Sequence, residues 1–121
     1  MRIIESNINN KELYTLATEP TVKFDEALPH LGDFKIVSYL KAINNFDSVT
    51  LRFKFVTPDG HTAVTYTSSR AFIDSFDTIN TSLGCGVPLT VKSNTSYDRT
   101  YYTVLPKEDV PSVPDVNKVF A

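Results

Sequence analysis

Residues 51–67, LRFKFVTPDGHTAVTYT, thread Arg52 and Lys54 between Leu51, Phe53 and Phe55, then return past Val64 and Tyr66. A single nucleic-acid strand asks for cations along its phosphates and aromatic faces under its bases, each stack contributing about 1–3 kcal/mol. Catalysis asks instead for a base, nucleophile or metal assembled in a cleft. The supply for that is two imidazoles, His30 and His61, and one thiol, Cys85. His61 falls in a hairpin turn, His30 follows Pro29 in a loop, and Cys85 lies between Gly84 and Gly86 at a helix end. Their spacing fits no zinc pattern, and no HExxH, GxSxG, P-loop or GxGxxG occurs. The expectation is a protein without catalytic residues, cofactor or metal.

The elements that must position these side chains follow from periodicity. Asn9 or Asn10 can cap a helix over KELYTLAT, stopped by Glu19-Pro20, and residues 22–32 form a turn or loop without firm assignment. From Asp33 the period is two: Phe34, Ile36, Ser38 and Leu40 fall on one side of a strand, Lys35, Val37, Tyr39 and Lys41 on the other. A second strand spans 49–57 and a third 62–68 around Thr57-Pro58-Asp59-Gly60. A type I turn with a bulge at Gly60 sets Arg52 opposite Tyr66 and Lys54 opposite Val64, whereas a plain four-residue loop sets Phe53 opposite Tyr66. Both registers are open to the sequence.

Ser68 or Ser69 then caps a helix over 70–83 with Phe72, Phe76, Ile79 and Leu83 on one stripe, ended by Gly84. Strands at 87–93 and 99–106 flank the polar loop NTSYD, and 107–121 is a tail. Three strands, a helix and two strands is the element order of the OB-fold, so the expected class is mainly β with α. It would be an OB-like five-stranded barrel with the helix between its third and fourth strands, built on residues 1–106 with 1–32 as a helical extension.

The candidate contacts with a single strand are Tyr39, Lys41, Arg52, Lys54 and Tyr66 on the first three strands, and Lys92, Tyr97, Arg99 and Tyr101 on the second hairpin. Alternation sends Tyr101 and Tyr102 to opposite faces, so one of them belongs to the core. If Arg52 and Lys54 form a solvated binding face, replacing both by Ala abolishes binding and leaves the thermal midpoint almost unchanged.

The chain carries a formal charge of −2, against bulk electrostatic binding of duplexes. The charge is segregated, however: residues 34–57 hold Lys35, Lys41, Arg52 and Lys54 against Asp47 alone. One cysteine excludes an internal disulfide, the first ten residues lack a secretory pattern, and no stretch approaches a membrane span. A cytoplasmic protein is expected.

Three blocks, KELYTLATEP, TPDGHTAVTYTSSRAFIDSFDTI and TSYDRTYYTV, resemble small single-stranded DNA-binding proteins of phages and mobile elements of Gram-positive bacteria. That family commonly carries Lys and Gly ahead of the Arg of the last block, where this chain has Ser96, Tyr97 and Asp98 before Arg99. The resemblance implies an OB-like fold and sequence-independent binding of single-stranded DNA in replication or recombination. It also makes the tail a candidate recruiter of replication or recombination proteins, and leaves homo-oligomerisation open. The rival expectation is a protein-interaction or virion-structural β module without a nucleic-acid ligand.

Overall fold

An antiparallel sheet with apolar residues on both faces must be covered twice, and that requirement shapes this molecule. A computed structural model describes residues 2–84 and 86–107. Cys85 and residues 108–121, hence nearly all of the tail named as a candidate recruiter, lie outside the described residues. In chain order the elements are β1 (Arg2–Ser6), α1 (Asn10–Thr18), α2 (Phe24–Ala27), a 3-10 turn (Leu28–His30), β2 (Lys35–Ile43), β3 (Val49–Val56), β4 (Thr62–Thr67), α3 (Arg70–Ser82), β5 (Leu89–Ser96) and β6 (Arg99–Pro106). β1 to β4 form one sheet in sequence order, and β5 and β6 form a separate hairpin.

The main core lies on one face of the sheet. Ile36, Tyr39, Leu51, Phe53 and Phe55 pack there against Phe72, Ile73, Phe76 and Ile79 of α3 and against Leu89 and Val104 of the hairpin. Phe53 and Phe72 stack with ring centroids 5.7 Å apart. Each of these fully buried rings stabilises the fold by roughly 1.5–3 kcal/mol. The helix begins where Ser69 Oγ accepts the Phe72 N–H, and it ends ahead of Gly84, whose φ of +84° needs a residue without a Cβ. Leu83, expected on the core stripe, instead caps the helix end and is exposed. Beyond the last regular turn its side chain no longer follows the helical period.

The opposite face carries a smaller cluster, Leu40, Ala42 and Val64 under Leu16 of α1. Asn9 caps α1 by accepting the Glu12 N–H at 2.9 Å. The N-terminal extension is therefore a structural layer, and not only helical. β1 is a strand that two adjacent isoleucines in a five-residue run gave no alternation to reveal, and it pairs with β2 through a register irregularity between Ile3 and Glu5.

The expected closed five-stranded barrel is not what forms. Among the described residues the two sheets are linked by an isolated bridge between Phe34 and Leu89, and the outer edge of β4 is engaged by the extension. Val22 N–H donates to Val64 O at 2.9 Å, and Thr65 Oγ1 donates to Val22 O at 2.8 Å. Phe24 then packs between Phe72 and Tyr102. The edge of β6 is met by a helix side chain, Ser75 Oγ accepting the Val104 N–H at 3.0 Å. With these donors and acceptors satisfied, β4 and β6 do not pair. No helix among the described residues is long and apolar enough to cross a membrane.

Candidate nucleic-acid interface

Strict alternation along β2 is broken by a register shift between Ile36 and Ser38. The extra residue returns Tyr39 and Lys41 to the core face on which Ile36 lies, which alternation alone places opposite. Tyr39 is 3% exposed and sits edge-on to Phe76 at 4.9 Å. Its hydroxyl donates to Glu5 Oε2 at 2.7 Å and accepts from Asn80 Nδ2 at 2.9 Å. Lys41, with 11% of its side chain exposed, places Nζ 2.9 Å from Asp77 and 3.1 Å from Glu5. Burial works to lower its pKa, but the hydrogen bonds and charges of Asp77 and Glu5 outweigh burial and raise it. The hydroxyl of Tyr39, opposed by burial and aided by Lys41, holds the Glu5 carboxyl below the usual carboxylate range. Tyr39 is thus a core residue, and Lys41 an internal counter-ion; neither is placed to meet a ligand.

The first hairpin adopts the bulged register, with Thr57 N–H donating to His61 O, Gly60 at φ +91°, and Arg52 opposite Tyr66. Arg52 and Lys54 do share a face, but it is the face under α1. Arg52 Nε donates to Leu16 O and Nη2 to Glu19 O, both at 2.7 Å. These are carbonyls at the end of α1, which contains no basic residue in its last turn, so the sheet supplies the cation that the helix terminus favours. Lys54 Nζ lies 3.3 Å from Glu19. Arg52 is a helix-terminating clamp rather than a phosphate contact, and Lys54 is part-neutralised. Tyr66, beside them, is exposed.

The second hairpin differs. Its register pairs Lys92 with Thr103, Asn94 with Tyr101 and Ser96 with Arg99, so Lys92, Tyr101 and Arg99 fall on one face. The other face turns Leu89, Val91, Tyr102 and Val104 to the core, which makes Tyr102 the inward tyrosine and Tyr101 the outward one. Lys92 and Arg99 are exposed and have no ion-pair partner among the described residues. What reads as a five-residue loop is strand up to Ser96, followed by a two-residue turn. Polar residues on a solvent-facing ribbon look like loop because only one side of each strand is apolar.

That turn holds Tyr97 at φ +52° and Asp98 at φ +67°. Such turns favour Asn-Gly, and a bulky residue in the left-handed region is costly. Tyr97 is nonetheless there and 96% exposed, so its ring gains nothing from packing.

Phe46, which the sequence reading passed over, is 87% exposed in the β2–β3 loop. Asn44 Oδ1 accepts the N–H groups of Phe46 and Ser48, fixing a turn that presents the ring. The signal was an aromatic inside a run of turn formers, NNFDS. His30, read as a loop residue, and His61, read as a turn residue, stack at 4.1 Å and tie the 3-10 turn to the first hairpin. Their rings lie 20° from parallel, so their in-plane lone pairs do not converge on one metal ion. No protein-family model, curated protein or solved structure matches the chain.

Proposed function

We propose that this protein binds single-stranded DNA without sequence preference, serving replication or recombination of a phage or mobile element, and that it is not an enzyme. The observation that carries the reading is the outward face of the β5–β6 hairpin. Lys92, Tyr101 and Arg99 share that face, the two cations without an ion-pair partner among the described residues, and Tyr97 is held 96% exposed at the apex in a conformation that costs stability. An aromatic kept at such a cost without packing has its use in a ligand. Phosphates would meet Lys92 and Arg99, and bases would stack on Tyr97 and Tyr101.

The architecture fits the reading as an opened relative of the OB-fold. The order from β2 to β6 is three strands, a helix and two strands, and Phe34, immediately before the first of these strands, bridges to Leu89 at the start of the fourth. OB-folds bind strands with the loops after their first and fourth strands, which here carry Phe46 and Tyr97. The chain has no Trp, so tyrosine emission reports directly. Quenching of that emission by a thymine oligomer, diminished in Tyr97→Ala and Tyr101→Ala, supports stacking; unchanged emission on addition of the oligomer contradicts it.

One feature favours a protein-interaction module instead. β1 ends the sheet with no strand on its outer edge among the described residues, and Ile3 and Ile4 are exposed on it. Under that reading the oligomer titration gives no response at any salt concentration.

A further inference from the structure

The turn of the first hairpin contains Asp59-Gly60, a pair with a chemistry of its own. The main-chain nitrogen of such a glycine can attack Cγ of the aspartic acid. A Cγ–N bond forms, a Cγ–O bond breaks, and the hydroxyl of the acid leaves as water with the amide proton. Water from the solvent then opens the resulting succinimide ring at either carbonyl. One opening restores aspartate, and the other gives isoaspartate, whose main chain runs through Cβ and Cγ. Glycine admits the attack readily because it has no Cβ to crowd the ring. Both residues are exposed, and nothing lies within 4 Å of the place a Cβ of Gly60 would take.

We infer that Asp59-Gly60 is a site of spontaneous isomerisation that the folded turn holds closed through Thr57. Both reacting groups are engaged. The Gly60 N–H donates to Thr57 O at 2.9 Å, which ties up the proton that must leave. Asp59 Oδ1 accepts the Thr57 hydroxyl and, at 3.4 Å, the His61 N–H. These two bonds hold the Asp59 carboxyl below the usual carboxylate range, and an ionised carboxylate is a poor electrophile without a hydroxyl to release.

Thr57 also closes the hairpin: its N–H donates to His61 O at 2.9 Å, and its hydroxyl accepts the His61 N–H at 3.0 Å. The stack of His61 on His30 braces the far side of that pair. Thr57 therefore touches the nucleophile, the electrophile and the residue that pins the turn. An isoaspartate at position 59 would add one carbon to the main chain inside a turn that sets the register of both strands, and the closing bonds between Thr57 and His61 would be lost. The chemistry belongs to the turn alone and does not depend on DNA binding.

Ageing of the full chain tests it. The parent, Thr57→Val and Thr57→Ser are held in warm neutral buffer below their thermal midpoints, with the parent in guanidinium chloride as the unfolded reference. Isoaspartate at position 59 is followed by peptide mapping with electron-transfer fragmentation. The expected result is accumulation at least tenfold slower in the folded parent than in the unfolded one. Thr57→Val, which removes the hydroxyl and keeps the branched shape, should be at least threefold faster than the folded parent, and Thr57→Ser, which keeps the hydroxyl, should match it. Absence of isoaspartate from the unfolded chain overturns the site, and equal rates in the folded and unfolded parent overturn its closure by the turn. Thr57→Val at the parental rate, or Thr57→Ser as fast as Thr57→Val, overturns the role of the Thr57 hydroxyl.

Discussion

Tyr39 and Glu5 show how a residue with binding chemistry becomes a structural one. The Tyr39 hydroxyl is shared between Glu5 and Asn80, so Tyr39→Phe keeps the ring packing and removes both hydrogen bonds. Urea denaturation should show a loss of about 1–2 kcal/mol, with affinity for a thymine oligomer unchanged. A matching loss of affinity would return Tyr39 to the interface. Glu5 has a depressed pKa in the fold, so its stabilising effect is complete above its unfolded value, about 4.3, and disappears as pH falls through the lower folded value. Because Glu5 is part-exposed, the effect is at most about 1 kcal/mol. Denaturation at pH 7 and pH 3 should show Glu5→Gln losing less stability on acidification than the parent. Lys41 has a raised pKa, so its contribution holds below its unfolded value, about 10.4, and is lost as pH rises through the folded value.

At the scale of elements, one bulge and one helix reassign the first hairpin's chemistry. Most of the elements were legible from period and capping: β2 to β6 and α3 lie where the residues place them, within a few positions at their ends, while the structure chooses Ser69 of the two candidate caps and the bulged turn of the two open registers. The bulge after Ile36 was not legible, because a one-residue slip leaves no mark on a strand whose two faces are both part-apolar. Nor was the docking of α1 over Arg52, which rests on backbone carbonyls that any sequence possesses. Replacing Arg52 by Ala leaves those carbonyls without their donor and should cost about 1–3 kcal/mol. Thermal unfolding should show a clear fall in midpoint, where the sequence alone led to none. Arg52→Lys should not restore it, since an ammonium on a flexible stem does not offer the planar fork that meets both carbonyls. An unchanged midpoint in Arg52→Ala would remove Arg52 from the α1 clamp. In the second hairpin, Tyr97→Asn with Asp98→Gly gives the turn its favoured residues. The double variant should unfold at higher denaturant concentration and bind the oligomer more weakly, which separates a ring kept for a ligand from one kept for the turn.

For the whole molecule, the proposed strand-binding surface falls on the hairpin and not on the main sheet, which is covered on both faces. Positive charge concentrates by sequence in residues 34–57, yet folding ties Lys41, Arg52 and Lys54 to Glu5, Asp77, Glu19 and carbonyls at the end of α1. Lys35 of that segment stays exposed without an ion pair among the described residues, and on the hairpin Lys92 and Arg99 do so beside exposed tyrosines. The decisive measurement is fluorescence anisotropy of a labelled thymine oligomer at two salt concentrations, with the matching duplex as control, for the parent and for Lys92→Ala with Arg99→Ala. The expected result is salt-sensitive binding of the single strand over the duplex. In the double variant, affinity falls at least tenfold and the salt slope shrinks by about 1.4, near 0.7 for each lost phosphate contact. Parental affinity and slope in that variant, or no binding by the parent at low salt, would contradict it.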